Sequence, residues 1–206
     1  MAHHTQPVAL VTGANRGIGR EVARQLAERD LTVVVGSRDL ASGQAVADAL
    51  TRQGAQASAV CLDVTAREGP CDAVRQIEDG YGRLDVLVNN AGRIVEAGAV
   101  DTTADDLRAV FETNVFGAAE MIRAALPLLR SSPAARIVNV SSTTASLTLT
   151  AGGTDFGGDA AHRLAYSTSK TALNMLTVQY DRALRRIPRC GTPRSTPPRP
   201  ATPPRT

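Results

Sequence analysis

The sequence predicts an α/β fold in which a doubly wound parallel β-sheet is covered by helices on both faces. Short, apolar, β-branched segments alternate with segments that have a helical pattern, which is typical of such sheets. The strand segments are continuously apolar, which indicates burial on both faces. The length of 206 residues, 43% of them hydrophobic, suits one globular domain with a substantial core.

Five strands and five helices are predicted in alternation. The predicted strands cover residues 8–12, 31–36, 57–62, 84–88 and 136–140. The predicted helices cover residues 17–29, 40–53, 66–81, 103–130 and about 165–187. We therefore predict one folded domain over residues 1–187, with strands one to five of the sheet present and no sixth or seventh strand after them.

The last 19 residues form a low-complexity tail. Seven of residues 188–206 are proline and none is a large aliphatic, so the segment cannot bury enough apolar surface to offset its ordering entropy, and we predict that it is disordered. The net charge of +3 is misleading, because residues 182–206 contain seven arginines and no acidic residue. Residues 1–181 carry 16 basic and 20 acidic residues, a net charge of −4, which argues against a nucleic-acid-binding face.

Several other classes of protein are disfavoured by the composition. No apolar segment approaches the roughly 18 residues that a membrane span needs, and the N-terminus lacks the apolar region of a signal peptide. The three cysteines have no Cys-x-x-Cys spacing. This predicts free thiols, no metal site and a cytoplasmic location.

A glycine-rich turn joins the first strand to the first helix in the sequence Thr-Gly-Ala-Asn-Arg-Gly-Ile-Gly. Glycines at this spacing permit a tight turn, close approach of the backbone to a pyrophosphate and close packing of helix on strand. The free N–H groups at the start of the helix point at the phosphates. The turn therefore predicts a dinucleotide-binding domain of the Rossmann type. Its candidate contacts are Gly13, Asn15, Arg16, Gly17, Ile18 and Gly19.

The end of the second strand predicts which dinucleotide is bound. Sites selective for NAD place an acidic side chain there, against the ribose 2′-hydroxyl. This strand instead ends in Gly36, Ser37 and Arg38, and the guanidinium groups of Arg38 and Arg16 suit a 2′-phosphate. We therefore predict NADP(H), with Ser37 and Arg38 as contacts. The alternative for both arginines is solvated surface charge, and the neighbouring Asp39 weighs against the prediction.

A candidate catalytic pair lies in the last helix. Tyr166 and Lys170 are four residues apart and so lie on one helical face, and Lys170 is the only lysine beside 22 arginines. An ammonium group close to a phenol favours the phenolate, which prepares it for proton transfer near neutral pH.

In their order along residues 7–187, these motifs resemble the short-chain dehydrogenase/reductase family. The matching positions are Thr12 to Gly19, Asp63-Val64, Asn89-Asn90-Ala91-Gly92, Asn114, Ser142, Tyr166 and Lys170. The resemblance implies that Asp63 and Val64 contact the adenine. It also implies that Asn90, Ala91 and Gly92 belong to the cofactor site.

The resemblance further implies a reaction and four catalytic residues. Hydride passes between the nicotinamide of NADP(H) and a small-molecule carbonyl or alcohol substrate, and Tyr166 donates a proton to the developing alkoxide. Ser142 stabilises the charge on the same oxygen. Lys170 holds the nicotinamide ribose and favours the phenolate form of Tyr166. Both residues are also predicted cofactor contacts. Asn114 positions a water that relays protons to Lys170.

Two features depart from the family pattern. Ser142 and Tyr166 are 24 residues apart rather than about a dozen, and the glycines of the extra stretch around residues 148–159 predict a loop. The insertion and the stretch after the second strand resemble the carbonyl-reductase-like, NADPH-dependent branch. The resemblance also ends near Ile187, which we interpret as a missing or frameshifted C-terminal part.

Three functions follow from these observations. The first is an NADP(H)-dependent oxidoreductase acting on CH-OH or C=O groups, its activity weakened by an exposed fifth strand. The second is a non-catalytic or inactive truncated dinucleotide-binding protein. The third is an interaction protein whose basic tail binds an SH3-type domain or an acidic partner. The oligomeric state is left open.

Overall fold

The computed structural model describes residues 6–154, 156 and 162–186. Five parallel strands form one sheet in the order β3-β2-β1-β4-β5. They are β1 (Val8–Thr12), β2 (Thr32–Ser37), β3 (Ala57–Cys61), β4 (Val86–Asn89) and β5 (Arg136–Asn139). The order reverses between β1 and β4, where doubly wound sheets form their ligand-binding crevice. The predicted fold class is therefore confirmed, with strand ends within two residues of the predicted ones.

Seven α-helices connect and cover the strands in the described part of the chain. They are α1 (Gly17–Ala27), α2 (Leu40–Arg52), α3 (Gly69–Tyr81), α4 (Ala104–Phe111), α5 (Ala118–Ser131), α6 (Leu147–Ala151) and α7 (Leu164–Arg186). The long helix predicted over 103–130 is interrupted by a π-helical turn, Glu112–Gly117. The loop predicted around 148–159 begins instead with the short helix α6, which Ser146 starts by accepting a hydrogen bond from the N–H of Leu149.

The core consists of two layers, one on each face of the sheet. Val8 and Leu10 of β1 pack with residues of α3 and α5 on one face of the sheet. The next residue, Val11, packs with residues of α1 and α2 on the other face. Side chains alternate across a strand, so a strand that is apolar throughout feeds both layers. Every residue of β1 and β2 is buried, as the continuous apolar pattern predicts.

The outer strands are less buried than that pattern predicts. The edge strand β5 pairs only with β4 among the described residues, and Val138 is 47% exposed. A groove lined by residues of α5, β5 and α7 runs beside this edge. The described sheet has no sixth strand, while the predicted tail 188–206 and its boundary near 187 lie outside the described residues.

A buried carboxylate fastens the amino ends of β1 and β4, at the opposite end of the sheet from the glycine-rich turn. Asp85 accepts hydrogen bonds from the N–H of Val8 (2.8 Å), from Nε and Nη2 of Arg83 (both 2.8 Å) and from Oγ of Ser132 (2.5 Å). Burial raises the pKa of Asp85, but these hydrogen bonds and the Arg83 charge outweigh it and hold the pKa below its ordinary value.

Candidate active site

The glycine-rich turn lies at the carboxyl end of β1 and leads into α1. Gly13 and Gly17 both adopt positive φ, +63° and +56°, which side chains rarely tolerate. A Cβ on Gly19 would lie 2.3 Å from Nδ2 of Asn90 and 2.6 Å from the carbonyl oxygen of Gly13, so only glycine fits. A Cβ on Gly17 would meet no atom within 4 Å. Open space therefore faces the N-terminus of α1, where an anion binds most favourably.

The loop after β4 holds this turn in place. Oγ1 of Thr12 accepts hydrogen bonds from the N–H groups of Asn90 (3.0 Å) and Ala91 (2.9 Å). In return, Nδ2 of Asn90 donates to the carbonyl oxygens of Thr12 (2.9 Å) and Gly13 (3.1 Å). The side-chain N–H groups of Asn90, a predicted cofactor contact, are thus used to shape the turn.

The residues predicted to contact a 2′-phosphate come from two neighbouring turns. Arg16 and Arg38 are exposed, and neither forms an ion pair within the described ranges, whereas Ser37 is buried at the end of β2. Asp39 caps α2 by accepting a hydrogen bond from the N–H of Ala41 at 3.1 Å. The carboxylate that weighed against NADP(H) is thus engaged by a helix N-terminus, which favours its negative charge.

Two further turn residues occupy different settings. Ile18 is 67% exposed on the first turn of α1. Asn15 is half-buried and donates from Nδ2 to Oγ of Ser42 in α2, at 3.1 Å. The prediction did not identify Ser42, because nothing in the local sequence connects it with the glycine-rich turn.

The predicted adenine contacts follow β3. Oδ1 of Asp63 accepts hydrogen bonds from the N–H (2.9 Å) and the hydroxyl (2.8 Å) of Thr65. Burial raises the pKa of Asp63, but these hydrogen bonds and the charge of Arg38 hold it below its ordinary value. Val64 is buried in the core and packs so closely on Gly117 that a Cβ there would lie 2.8 Å from Cγ2 of Val64.

Asn114 sits in the π-helical turn and is only 1% exposed. Its Oδ1 accepts from the N–H of Arg93 (2.7 Å), and its Nδ2 donates to the carbonyl oxygen of Arg93 (3.0 Å) and to Oγ of Ser169 (2.9 Å). Ser169 in turn donates to the carbonyl oxygen of Tyr166 at 2.7 Å. The amide thus connects the loop after β4 with the first turns of α7.

Lys170 is 3% exposed and reaches the carboxyl end of β5. Its Nζ donates to the carbonyl oxygen of Val140 at 2.7 Å and lies 5.7 Å from the ring centre of Tyr166. Burial lowers the pKa of Lys170 to about 8. Tyr166 is half-buried, and its hydroxyl forms no hydrogen bond among the described residues, which leaves it available to a ligand.

Hydrogen bonds with α7 hold the segment that carries Ser142. Ser141 donates to Oδ1 of Asn174 at 2.6 Å, and Oγ1 of Thr171 donates to the carbonyl oxygen of Ala145 at 3.0 Å. The hydroxyl oxygens of Ser142 and Thr144 are 2.9 Å apart. Oγ of Ser142 also accepts a hydrogen bond from the N–H of Thr144 at 3.3 Å. The half-buried hydroxyl of Ser142 is thus oriented at the start of the 3₁₀ turn Thr143–Ala145.

Two of the predicted catalytic residues, Asn114 and Lys170, meet at Gly92. A Cβ on Gly92 would lie 3.5 Å from Oδ1 of Asn114 and 3.8 Å from Nζ of Lys170. Beside this point, residues that precede α7 pair with the loop after β4 through a bridge between Arg163 and Ala97. Asn114, Lys170 and Tyr166 therefore lie close together, and Ser142 follows β5 at the same end of the sheet as the glycine-rich turn.

This arrangement suits an extended anionic ligand followed by a reacting oxygen. Two free guanidinium groups and a helix N-terminus lie on one side, while an ammonium group and two hydroxyls lie on the other. No group of three or more potential metal ligands occurs in the part of the chain that the structure describes. No described helix is long and apolar enough to cross a membrane.

Comparison with known proteins agrees with this geometry. The family model described as short chain dehydrogenase matches residues 7–187. The short-chain dehydrogenase anuI of Penicillium roqueforti is 36% identical over 183 residues, which are 86% of this chain and 72% of that protein. Three other curated relatives align over only 48% to 59% of their own length, so the chain spans about half to three fifths of those proteins.

Solved structures with the same fold include complexes with a dinucleotide. A gluconate 5-dehydrogenase of Burkholderia cenocepacia, in complex with NADP and tartrate, superposes with a TM-score of 0.77 at 27% identity. The match covers 87% of this chain and 66% of that one. A metagenomic short-chain oxidoreductase in complex with NADP gives 0.75 at 28% identity, over 87% of this chain and 76% of that one.

Proposed function

The chain belongs to the short-chain dehydrogenase/reductase family, and we propose that it is an NADP(H)-dependent oxidoreductase that interconverts a small-molecule carbonyl and its alcohol. The observation that carries this proposal is that Asn114 and Lys170 meet beside Gly92, with the Tyr166 ring next to Lys170 and Ser142 in the segment that follows β5. Each side chain comes from a different part of the fold, apart from the pair on α7. Membership of this family also supports the broader activity, which is oxidoreduction of CH-OH and C=O groups.

The choice of NADP(H) over NAD(H) rests on charge. Arg16 and Arg38 face solvent without an ion-pair partner among the residues described, while the carboxylate of Asp39 caps α2. A guanidinium group binds a phosphate dianion through charge-assisted hydrogen bonds, which a 2′-hydroxyl cannot match. Two solved structures of the same fold are complexes with NADP.

The residues of the glycine-rich turn fit the pyrophosphate of such a cofactor. The missing side chain at Gly17 leaves space at the N-terminus of α1, and Ile18 and Gly19 continue the first turn. Ala91 and Gly92 border the crevice between this turn and Lys170. The bound nicotinamide would supply or accept the hydride.

In carbonyl reduction, the hydroxyl of Tyr166 donates a proton to the substrate oxygen as negative charge develops on it. Ser142 donates a hydrogen bond to the same oxygen, because preorganised donors stabilise charge in a water-poor site. Lys170, held by Val140, keeps a positive charge near the Tyr166 ring and favours the phenolate that remains. In alcohol oxidation the proton moves from the alcohol to Tyr166.

Asn114 takes part through its position. Its three side-chain hydrogen bonds all go to protein groups, Arg93 and Ser169. These bonds fix the π-helical turn beside Lys170, and a relay water would then bind the main chain of this turn. Single π-helical turns inside α-helices are frequent at functional sites.

Within the family, the carbonyl-reductase-like branch remains the proposed class, on the strength of the insertion before α7 and the arginine after β2. A second candidate is a dinucleotide-binding protein with little or no turnover. The exposed edge of β5 favours it, because a strand that is paired on only one side within the described residues gives weaker support to the Ser142 segment that follows it. The cytoplasmic location and the role of the tail stay predictions.

Turnover of NADPH tests the proposal. The purified full chain is mixed with NADPH or NADH and a panel of ketones and aldehydes, and cofactor oxidation is followed by absorbance. The proposal expects oxidation of NADPH in preference to NADH and its loss in Tyr166→Phe. Tight NADPH binding without turnover would favour the second candidate, and no binding of either dinucleotide would refute both.

A further inference from the structure

The surroundings of the proposed 2′-phosphate site contain a serine to which no role has been assigned. We propose that Ser42 is a positioning residue for dinucleotide selectivity, which ties the glycine-rich turn to the turn after β2. This inference rests on the proposed preference for NADP(H). It concerns the hydrogen bonds of Ser42 with Asn15, Asp39 and Ser37.

The two arginines of the proposed site can bind one phosphate together only if the turns that carry them keep a fixed relative position. Arg16 follows Asn15 in the glycine-rich turn, whereas Arg38 follows Ser37 at the end of β2. Both guanidinium groups are exposed, so their own side-chain contacts fix neither of them. A phosphate that binds both arginines therefore depends on how firmly the two turns are held together.

Ser42 provides such a connection. Its Oγ donates to the carbonyl oxygen of Asp39 (2.9 Å) and accepts from Nδ2 of Asn15 (3.1 Å). The hydroxyl oxygens of Ser42 and Ser37 are 3.4 Å apart. Because a hydroxyl has one hydrogen to donate, which goes to Asp39, Ser37 is the donor in this last contact.

The hydroxyl of Ser42 is thus fully used, with one donated and two accepted hydrogen bonds. The contact also orients Ser37, whose lone pairs remain free to accept. A backbone hydrogen bond from the N–H of Ala14 to the carbonyl oxygen of Gly36, at 3.0 Å, joins the same two turns. Removal of the Ser42 hydroxyl should therefore loosen the two turns without unfolding them.

The effect should appear in selectivity for the 2′-phosphate. In Ser42→Ala, Asn15 loses its acceptor and Ser37 is free to rotate. We expect the dissociation constant for adenosine 2′,5′-bisphosphate to rise about fivefold to tenfold, as for the loss of one or two hydrogen bonds. The dissociation constant for 5′-AMP, which lacks the 2′-phosphate, should change less than about twofold.

Calorimetric titration of the full chain with these two nucleotides tests the role of Ser42. Ser42→Thr keeps the hydroxyl and should restore the wild-type ratio. Ser131→Ala is the matched control, because it removes a serine hydroxyl that also donates to a backbone carbonyl, that of Pro127, far from the site. A melting curve for each variant reports on the fold.

A double-mutant cycle identifies the path of the effect. If Ser42 acts mainly through Asn15, Ser42→Ala should add little to Asn15→Ala. An unchanged ratio in Ser42→Ala, or an equal loss of both nucleotides, would overturn the positioning role alone. A wild-type protein that prefers 5′-AMP or binds both equally would refute the NADP(H) proposal and, with it, the role of Ser42.

Discussion

Gly17 and Gly82 offer a matched pair of substitutions that separates a binding role from a folding role. Both glycines adopt positive φ, +56° and +67°, and a Cβ on either would meet no heavy atom within 4 Å. Gly17 opens α1 beside the proposed pyrophosphate, whereas Gly82 ends α3 away from it. Substitution by alanine therefore imposes the same backbone strain at two places that differ in their proposed ligand.

The expected loss of stability is equal for the two variants. A side chain in the left-handed region costs about 1 kcal/mol, and neither Cβ creates a clash. For a domain of this size, that loss lowers the melting temperature by about 2–4 °C. Only Gly17→Ala places a methyl group where the backbone must approach a phosphate, so its affinity for NADP⁺ should fall at least about tenfold.

Thermal melts and calorimetric titration with NADP⁺ measure the two effects separately. We expect equal shifts of the melting temperature, with weakened binding in Gly17→Ala and wild-type binding in Gly82→Ala. Equal affinities in the two variants would show that the open space at Gly17 is not a phosphate site. The reasoning from the glycine-rich turn would then be refuted.

Three further predictions concern catalysis and stability. Tyr166→Phe should lower kcat by about 10²- to 10⁴-fold, and a wild-type kcat would contradict proton donation. Because burial lowers the pKa of Lys170 to about 8, its ammonium charge is lost as the pH rises through that value. Steady-state kcat/KM for carbonyl reduction should therefore fall above about pH 8, and a flat profile to pH 9.5 would argue against the role of Lys170. Asp85→Asn should lower the free energy of unfolding in urea by about 2 kcal/mol without changing NADP⁺ affinity, because it removes the charge of a buried carboxylate that pairs with the partly exposed Arg83. The pKa of Asp85 is held below its ordinary 3.8, so this contribution is present above that value and is lost as the pH falls through the lower folded value. An unchanged urea midpoint at pH 7 would contradict it.

Much of the fold follows from local patterns in the sequence. The continuous apolar strands and the glycine-rich turn predict the parallel sheet, because each pattern reflects burial or backbone conformation within a few residues. The helix predicted from 103 to 130 shows the limit. Its apolar pattern continues through Asn114, and the π-helical turn depends on hydrogen bonds to Arg93 and Ser169, which lie far away in the sequence.

The sequence motifs predict which residues belong to the candidate site, but they do not predict the hydrogen-bond partners of those residues. The motifs identify Asn90 and Asn15, but their side chains bond the Thr12–Gly13 backbone and Ser42, respectively. Such pairings join residues 27 to 78 positions apart, and only tertiary packing determines them. Ser169 had a local signal, since it lies inside the Tyr166–Lys170 segment one turn after Tyr166.

The preference between two dinucleotides tests the central claim most directly. Dissociation constants for NADP⁺ and NAD⁺ are measured by titration of the full chain and of Arg38→Ala. The account predicts that NADP⁺ binds at least about tenfold more tightly to the wild type, since a guanidinium–phosphate pair is a strong charge-assisted contact. It also predicts that most of this preference is lost in Arg38→Ala. Equal affinities in the wild type, or tighter binding of NAD⁺, would contradict the account.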